Sequence, residues 1–298
     1  MRTKCGLAGM MMLSLALQAA ATEGGGSVYA GGGEGQMTGA LPPPGQYLIN
    51  YSMYYSADSF KGADGHTVPI DFDVHAFADV VRLINVTDIN VLGGNWAQHT
   101  CIPFVWEKVG MTPGSERVKD KNFGLGNIDV DPFIIGWHEA PFHWIVGVDT
   151  YLPVGKYHAD SLANTGRNYW TFEPVLAITY LNECGQELSA KMMYDINTEN
   201  EETEYRSGQE FHTDFVAAQH CGAWAFGIGG YYYYQTTDDR QHGGPVDGGN
   251  QGRQIALGPQ VSYELENHMN FSLAIDHEFD TKNKPQGDVV WLKAIIPL

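Results

Sequence analysis

The chain has 298 residues, of which 43% are hydrophobic and 12% aromatic; only 17% are charged, with 35 acids against 17 bases. It is too apolar and aromatic for a disordered chain and too acidic for a nucleic-acid partner, since no basic face is available to neutralise phosphates. The same acidity disfavours docking on anionic lipid by charge.

Residues 1–21 read as a secretory signal peptide. Arg2 and Lys4 precede an apolar run from Gly6 to Leu17, and Ala19-Ala20-Ala21 offers a small-residue cleavage site. The run is too short to span a bilayer as a helix. Without the leader, 15 bases face 35 acids, a charge of about −20. Residues 22–44 are Gly-rich and then Pro-rich, with little to bury. They are expected to form an extended N-terminal segment, long enough to enter the domain that follows and act as a plug.

From residue 45 the sequence alternates. Tyr47, Ile49, Tyr51, Met53 and Tyr55 share one parity, with Asn50, Ser52 and Ser56 on the other. Ile70, Phe72, Val74, Ala76, Ala78 and Val80 alternate with Asp71, Asp73, His75, Phe77 and Asp79. Leu188, Ala190, Met192, Tyr194 and Ile196 alternate with Glu187, Ser189, Lys191, Met193 and Asp195. Phe271, Leu273, Ile275, His277 and Phe279 alternate with Ser272, Ala274, Asp276 and Glu278. A period of two over ten or so residues describes strands with two unlike faces. Their length exceeds that of soluble strands, about 5–6 residues, and matches the ~9–11 that a tilted membrane strand requires.

Segments of this kind fall near 45–58, 70–85, 91–107, 125–138, 142–152, 167–181, 186–198, 208–221, 223–236, 252–266, 269–280 and 288–298. They predict an all-β fold: one closed, up-and-down antiparallel transmembrane barrel of about twelve strands over residues 45–298, in the outer membrane of a Gram-negative cell. Short links at 182–185, 221–222 and 266–268 contrast with longer polar stretches at 108–124, 153–166, 199–207 and 237–251. This asymmetry distinguishes periplasmic turns from external loops.

The run GYYYYQTTDD fits this scheme. Trp224, Phe226, Ile228, Tyr232 and Tyr234 share the parity that would face lipid, with Trp224 at one interface and Tyr232 and Tyr234 at the other, as an aromatic girdle. The polar parities nominate Asp71, Asp73, His75, Asp79, Glu187, Lys191, Asp195, His212, Asp214, Asp276 and Glu278 as lumen-lining residues. Outer-membrane lipid and lipopolysaccharide are the expected surroundings.

Among the 11 histidines, His138/His143 and the same-face pair His212/Asp214 resemble metal ligands, but no third ligand is nominated. No metal or cofactor is therefore expected. Nor is catalysis: no G-x-S-x-G elbow occurs, and neither GGGEGQ nor GIGG sits in a strand–turn–helix phosphate cradle. With Cys5 removed in the leader, three of the four cysteines remain, Cys101, Cys184 and Cys221, and an odd number far apart makes no disulfide framework.

Several stretches carry a family resemblance: ALPPPG at 40–45, VPIDFDV at 68–74, LGGN at 92–95, ANTGRNYWTFEP at 163–174 and ELSAKMMYDINTEN at 187–200. YRSGQEFH at 205–212, GYYYYQTTDD at 230–239, ALGPQVSY at 256–263 and PQGDVVWL at 285–292 extend it over nearly the whole mature chain. The sequence resembles the family named for the meta-pathway of phenol degradation. The resemblance implies an outer-membrane barrel passing small hydrophobic or aromatic compounds, and no catalytic residues. The chain departs from common outer-membrane practice in ending on Ile295-Ile296-Pro297-Leu298 rather than on an aromatic residue. The competing expectation is a structural or surface-interaction barrel whose acidic loops do the work.

Overall fold

A computed structural model describes residues 21–246 and 248–298. The signal-peptide reading falls on residues 1–21, of which 1–20 lie outside the described residues.

The strands are β1 (Gly45–Phe60), β2 (Phe72–Val91), β3 (Gly94–Met111), β4 (Val118–Leu125), β5 (Ile128–Glu139), β6 (Phe142–Leu152), β7 (Thr171–Leu181), β8 (Gln186–Asn197), β9 (Tyr205–Arg206), β10 (Glu210–Cys221), β11 (Trp224–Gln235), β12 (Arg240–Gln241), β13 (Gly244–Pro245), β14 (Arg253–Glu264), β15 (Asn270–Lys282) and β16 (Pro285–Pro297). Neighbours in the sheet follow chain order and are antiparallel; β1 pairs with β16, and β2 pairs with β3, so the sheet closes on itself. Closure gives each position around the barrel a neighbour on both sides, as a backbone in hydrocarbon requires, while β4, at the external end, pairs with β3 alone.

The barrel has twelve strand positions. β4 and β5 together occupy one of them: the outer half of β3, Phe104 to Met111, pairs with β4, and the inner half, Asn95 to Cys101, pairs with β5. Between the two, the Gly126 amide donates to the Pro103 carbonyl at 2.9 Å. Strands β9, β12 and β13 form a separate small sheet within the loops at one end.

Twelve strands was the expectation, but the borders differ in places. Residues 108–124 were expected as a loop. The structure carries β3 to Met111 and returns it in β4, with only residues 112–117 as the turn. Arg117 in that turn is ion-paired to Asp71 and Asp73, which secures the hairpin beside the outer end of β2. Residues 281–287, left between two expected strands, are almost wholly strand, with Asn283-Lys284 as the turn.

One end of the barrel has short links: 92–93, 140–141, 182–185, 222–223 and 265–269. Gly45 and Pro297 lie at this same end, because Tyr47 pairs with Pro297. The opposite end carries 61–71, 153–170, 198–209 and 236–252. By this asymmetry the first end is periplasmic and the second external. Large apolar side chains are exposed around the outside, among them Val146 and Val148 on β6, Leu176 and Ile178 on β7, Ile228 on β11 and Ile275 on β15. A belt this wide belongs in hydrocarbon rather than water. The protein is a β-barrel of the Gram-negative outer membrane.

Candidate functional site

Period-two geometry sends alternate residues of each strand inward. From β7 to β15 the inward set is largely polar. Glu173, Glu187, Lys191, Asp195, Glu210, His212, Asp214, Asp276 and Glu278 are all buried. The remaining wall, formed by β16, β1, β2 and the outer half of β3, turns an apolar set inward: Met53, Phe72, Val74, Ala78, Val109 and Trp291 are buried together with Tyr51.

The apolar wall corrects the sequence reading. Asp71, Asp73, His75 and Asp79 were nominated as lumen-lining, but their parity points outward, because Phe72, Val74, Ala76, Ala78 and Val80 line the interior cavities. The physical reason is that β2, with 20 residues, rises beyond the hydrocarbon band, so its outer acids stand in solvent or against partners. Asp71 and Asp73 meet Arg117. His75 lies against Tyr54 and Ser56 at 3.0 and 3.2 Å. Asp79 accepts a bond from Asn50 Nδ2 at 2.7 Å. Tyr47, Ile49, Tyr51, Met53 and Tyr55 on β1 turn inward with the apolar parity of β2.

Of the girdle candidates, Trp224 is exposed on the outside, stacked on Phe226 and 4.6 Å from the Tyr263 ring. Tyr234 is exposed and Tyr232 half-buried, while Tyr231 and Tyr233 are buried on the inner side.

Residues 21–44 run inside the barrel, from the external end to the periplasmic one. The Ala21 amide donates to Asn283 O in the external turn at 2.7 Å, and Thr22 N donates to Asp239 in an external loop at 3.1 Å. Glu23 accepts from Tyr157, Asn200 and Thr203. Halfway down, Asp214 accepts three bonds from the segment: Tyr29 OH at 2.6 Å, Gly32 N at 3.0 Å and Glu34 N at 2.9 Å. Met37 N donates to Glu187 at 2.6 Å and Gly39 N to Thr179 at 3.0 Å. Glycine is needed at two points. Gly32 has φ +86°, and a Cβ on Gly39 would lie 2.4 Å from the backbone nitrogen of Thr179.

Glu34 is the segment's electrostatic anchor. Its carboxylate meets Arg82 at 2.9 Å, Lys293 at 3.3 Å and Tyr51 OH at 3.0 Å. Burial pushes this carboxyl up, but Lys293, then Arg82 and Lys191, outweigh it and hold it down at about 2. Arg82 also donates to His99 Nδ1 at 2.8 Å, which makes Nδ1 an acceptor and leaves Nε2–H to donate to Asp129 at 3.0 Å. Lys191 faces Asp149 at 3.7 Å. Sequence reasoning nominated none of Glu34, Arg82, His99, Asp129 or Asp149. The available signal was an isolated charge at the inward parity of an apolar strand, as in IVGVDTYL, residues 145–152.

Between the segment and the apolar wall lie two cavities, of about 250 Å³ toward the external end and about 260 Å³ at mid-height. Ala76 and Met53 border both. A larger space of about 970 Å³ opens toward the periplasm around residues 32–43.

The family described as "Putative MetA-pathway of phenol degradation" matches residues 57–294. Among solved structures, the fold is similar to that of an outer-membrane channel from Pseudomonas putida F1, with 15% identity, TM-score 0.77, and coverage of 88% of this chain and 98% of that one. It is also similar to the translocator domain of an autotransporter from Neisseria meningitidis, with 8% identity, TM-score 0.51, and coverage of 99% and 98%. No curated protein sequence gives a significant match.

Proposed function

Because the chain belongs to this phenol-degradation family, we propose that it is a passive outer-membrane channel for small hydrophobic or aromatic compounds, gated by its own residues 22–44. The observation that carries the reading is the pair of cavities between that segment and the apolar wall. Each is bounded on one side by side chains such as Met53, Ala76 and Val74 or Val80, and on the other by Tyr29 and Ala30. Apolar pockets of this kind favour a solute that sheds water on entering, and a few convergent polar groups orient it. The Tyr55 hydroxyl, bonded to Glu278 at 2.9 Å, and Glu107 supply such groups beside the outer cavity. Outside, the apolar belt contacts membrane lipid, and lipopolysaccharide surrounds the external loops. The role is transport, not catalysis.

The test is solute uptake by proteoliposomes. Ala76→Phe fills space in both cavities and is expected to slow entry of phenol-sized solutes several-fold, while the barrel still folds. Deleting residues 23–39, with Pro42-Pro43-Pro44 kept, is expected to raise single-channel conductance in a planar bilayer. Aromatic uptake equal to that of protein-free liposomes would instead favour a structural barrel. Unchanged conductance after the deletion would show that the segment does not gate.

A further inference from the structure

The strongest unassigned feature is a cluster of buried carboxylates in the polar wall. β7, β8 and β10 are adjacent, and Asp195 is register-paired with Glu210. Glu173 on β7 lies beside Asp195 from the other side. His212, two residues along from Glu210, places Nε2 3.0 Å from Asp195 Oδ2 and 3.8 Å from Glu210 Oε2. Glu173, Asp195 and Glu210 are fully buried and His212 nearly so.

Glu210 and Asp195 are each held through one oxygen, and all three carboxylates keep free oxygen. Glu210 Oε1 accepts from Asn197 Nδ2 at 2.8 Å, while Oε2 has no partner. Asp195 Oδ2 faces His212 and Ser27, while Oδ1 has none. Both oxygens of Glu173 lack a partner. Among the described residues, no lysine or arginine comes within ion-pair distance of these three acids. Three buried carboxylates without a cation are costly, and buried charges of this kind are paired or coordinate a metal. By contrast, the group formed by His99, Cys101 and Asp129 already has a fixed cation against it, since Arg82 donates to His99 Nδ1 at 2.8 Å.

We propose that Asp195, Glu210 and His212, with Glu173 beside them, bind one divalent transition-metal cation of the zinc class. The ligand atoms of Asp195, Glu210 and His212 already lie within 4.8 Å of one another, and one imidazole with two or three carboxylates suits zinc rather than calcium or magnesium. Ser27 Oγ, from the luminal segment, stands 3.4 Å from Asp195 Oδ2 and 3.5 Å from His212 Nε2. A cation here therefore lies where segment and wall meet, and its binding is coupled to the segment's position. The pair His212/Asp214, suggestive in sequence, is not the ligand set, because the Asp214 oxygens are taken by Tyr29, Gly32 and Glu34.

The test uses metal-stripped mature protein in detergent, carrying His138→Ala and His143→Ala. This background removes the exposed pair whose Nδ1 atoms lie 2.9 Å apart and which would bind zinc independently. Calorimetric titration with zinc chloride is expected to give one equivalent per barrel. His212→Ala, and separately Asp195→Asn with Glu210→Gln, should weaken binding about tenfold to a hundredfold or more. No stoichiometric binding, or binding unchanged by these variants, would overturn the site. If the variants fail to form heat-modifiable barrels, X-ray absorption of the cobalt-loaded background protein decides. Mixed nitrogen and carboxylate-oxygen ligation is expected; sulfur ligation or histidine-only ligation rules the site out.

Discussion

The two walls of the lumen arise from the same sequence pattern and do opposite things. The polar wall, from β7 to β15, takes partners for Glu187, Asp195 and Asp214 from residues 21–44, and leaves Glu173 and Asp276 without any hydrogen-bond partner. The apolar wall, from β16 through β3, asks little of the segment beyond Glu34 and the Trp291 Nε1 bond to Gly31 O at 3.1 Å. The cavities therefore collect on the apolar side. Hydrogen bonds draw the segment onto one wall and leave space against the other. This contrast gives the barrel both a bound segment and room for an apolar solute.

If that division is right, weakening the polar wall should free the segment. Asp214→Asn is expected to have the largest effect. Both carboxylate oxygens accept from the segment, three bonds in all, a pattern that an amide with one oxygen cannot reproduce. Loss of charge-assisted bonds should cost docking about 1.5–3 kcal/mol. A nitroxide label at Ala30 would report it as a sharp gain in mobility, with barrel assembly unaltered. A spectrum identical to that of the parent would mean that Asp214 does not hold the segment.

Acid sharpens the comparison from the other side, because Glu34 is the segment's ionic link to the apolar wall's end of the lumen. Its carboxyl is held at about 2 when docked, against 4.5 for an ordinary glutamate. The folded value is the lower one, so this contribution is fully present above about pH 4.5 and lost as the pH falls toward 2. The same label should loosen between pH 5 and pH 3, and Glu34→Gln should remove the Glu34-dependent part of that change. An equal acid response in Glu34→Gln would assign it to other carboxyls.

How much of this was legible follows from what alternation can and cannot say. It groups residues by face, and the barrel and its strand number were readable from it. It has no sign, however. An apolar face points to lipid or to an apolar lumen with equal ease, so the β2 parity was assigned the wrong way round. The polar face of β2 belongs partly to water above the membrane, which a count of polar residues does not reveal. The ion pairs were out of reach for a different reason. Glu34 meets Arg82 and Lys293 from 48 and 259 residues away, and the cluster around Asp195 draws on three strands and the segment. Such contacts depend on closure and register, which a local pattern does not contain.

The smallest effect is expected where the sequence reading was corrected. If Asp79 faces outward beside Asn50, its charge does not belong to the conduction path. Asp79→Val should then leave cation-over-anion preference in the segment-deleted channel unchanged, and alter stability by no more than about 1 kcal/mol, as for an acid near the membrane boundary. Asp276→Val is the matched control, since Asp276 is fully buried on the inner face of β15 and 2.8 Å from the position a Cβ on Gly32 would take. Reversal potentials in a salt gradient separate the two. A shift for Asp276 without one for Asp79 supports the assignment of walls, whereas a comparable shift for Asp79 would return that residue to the lumen.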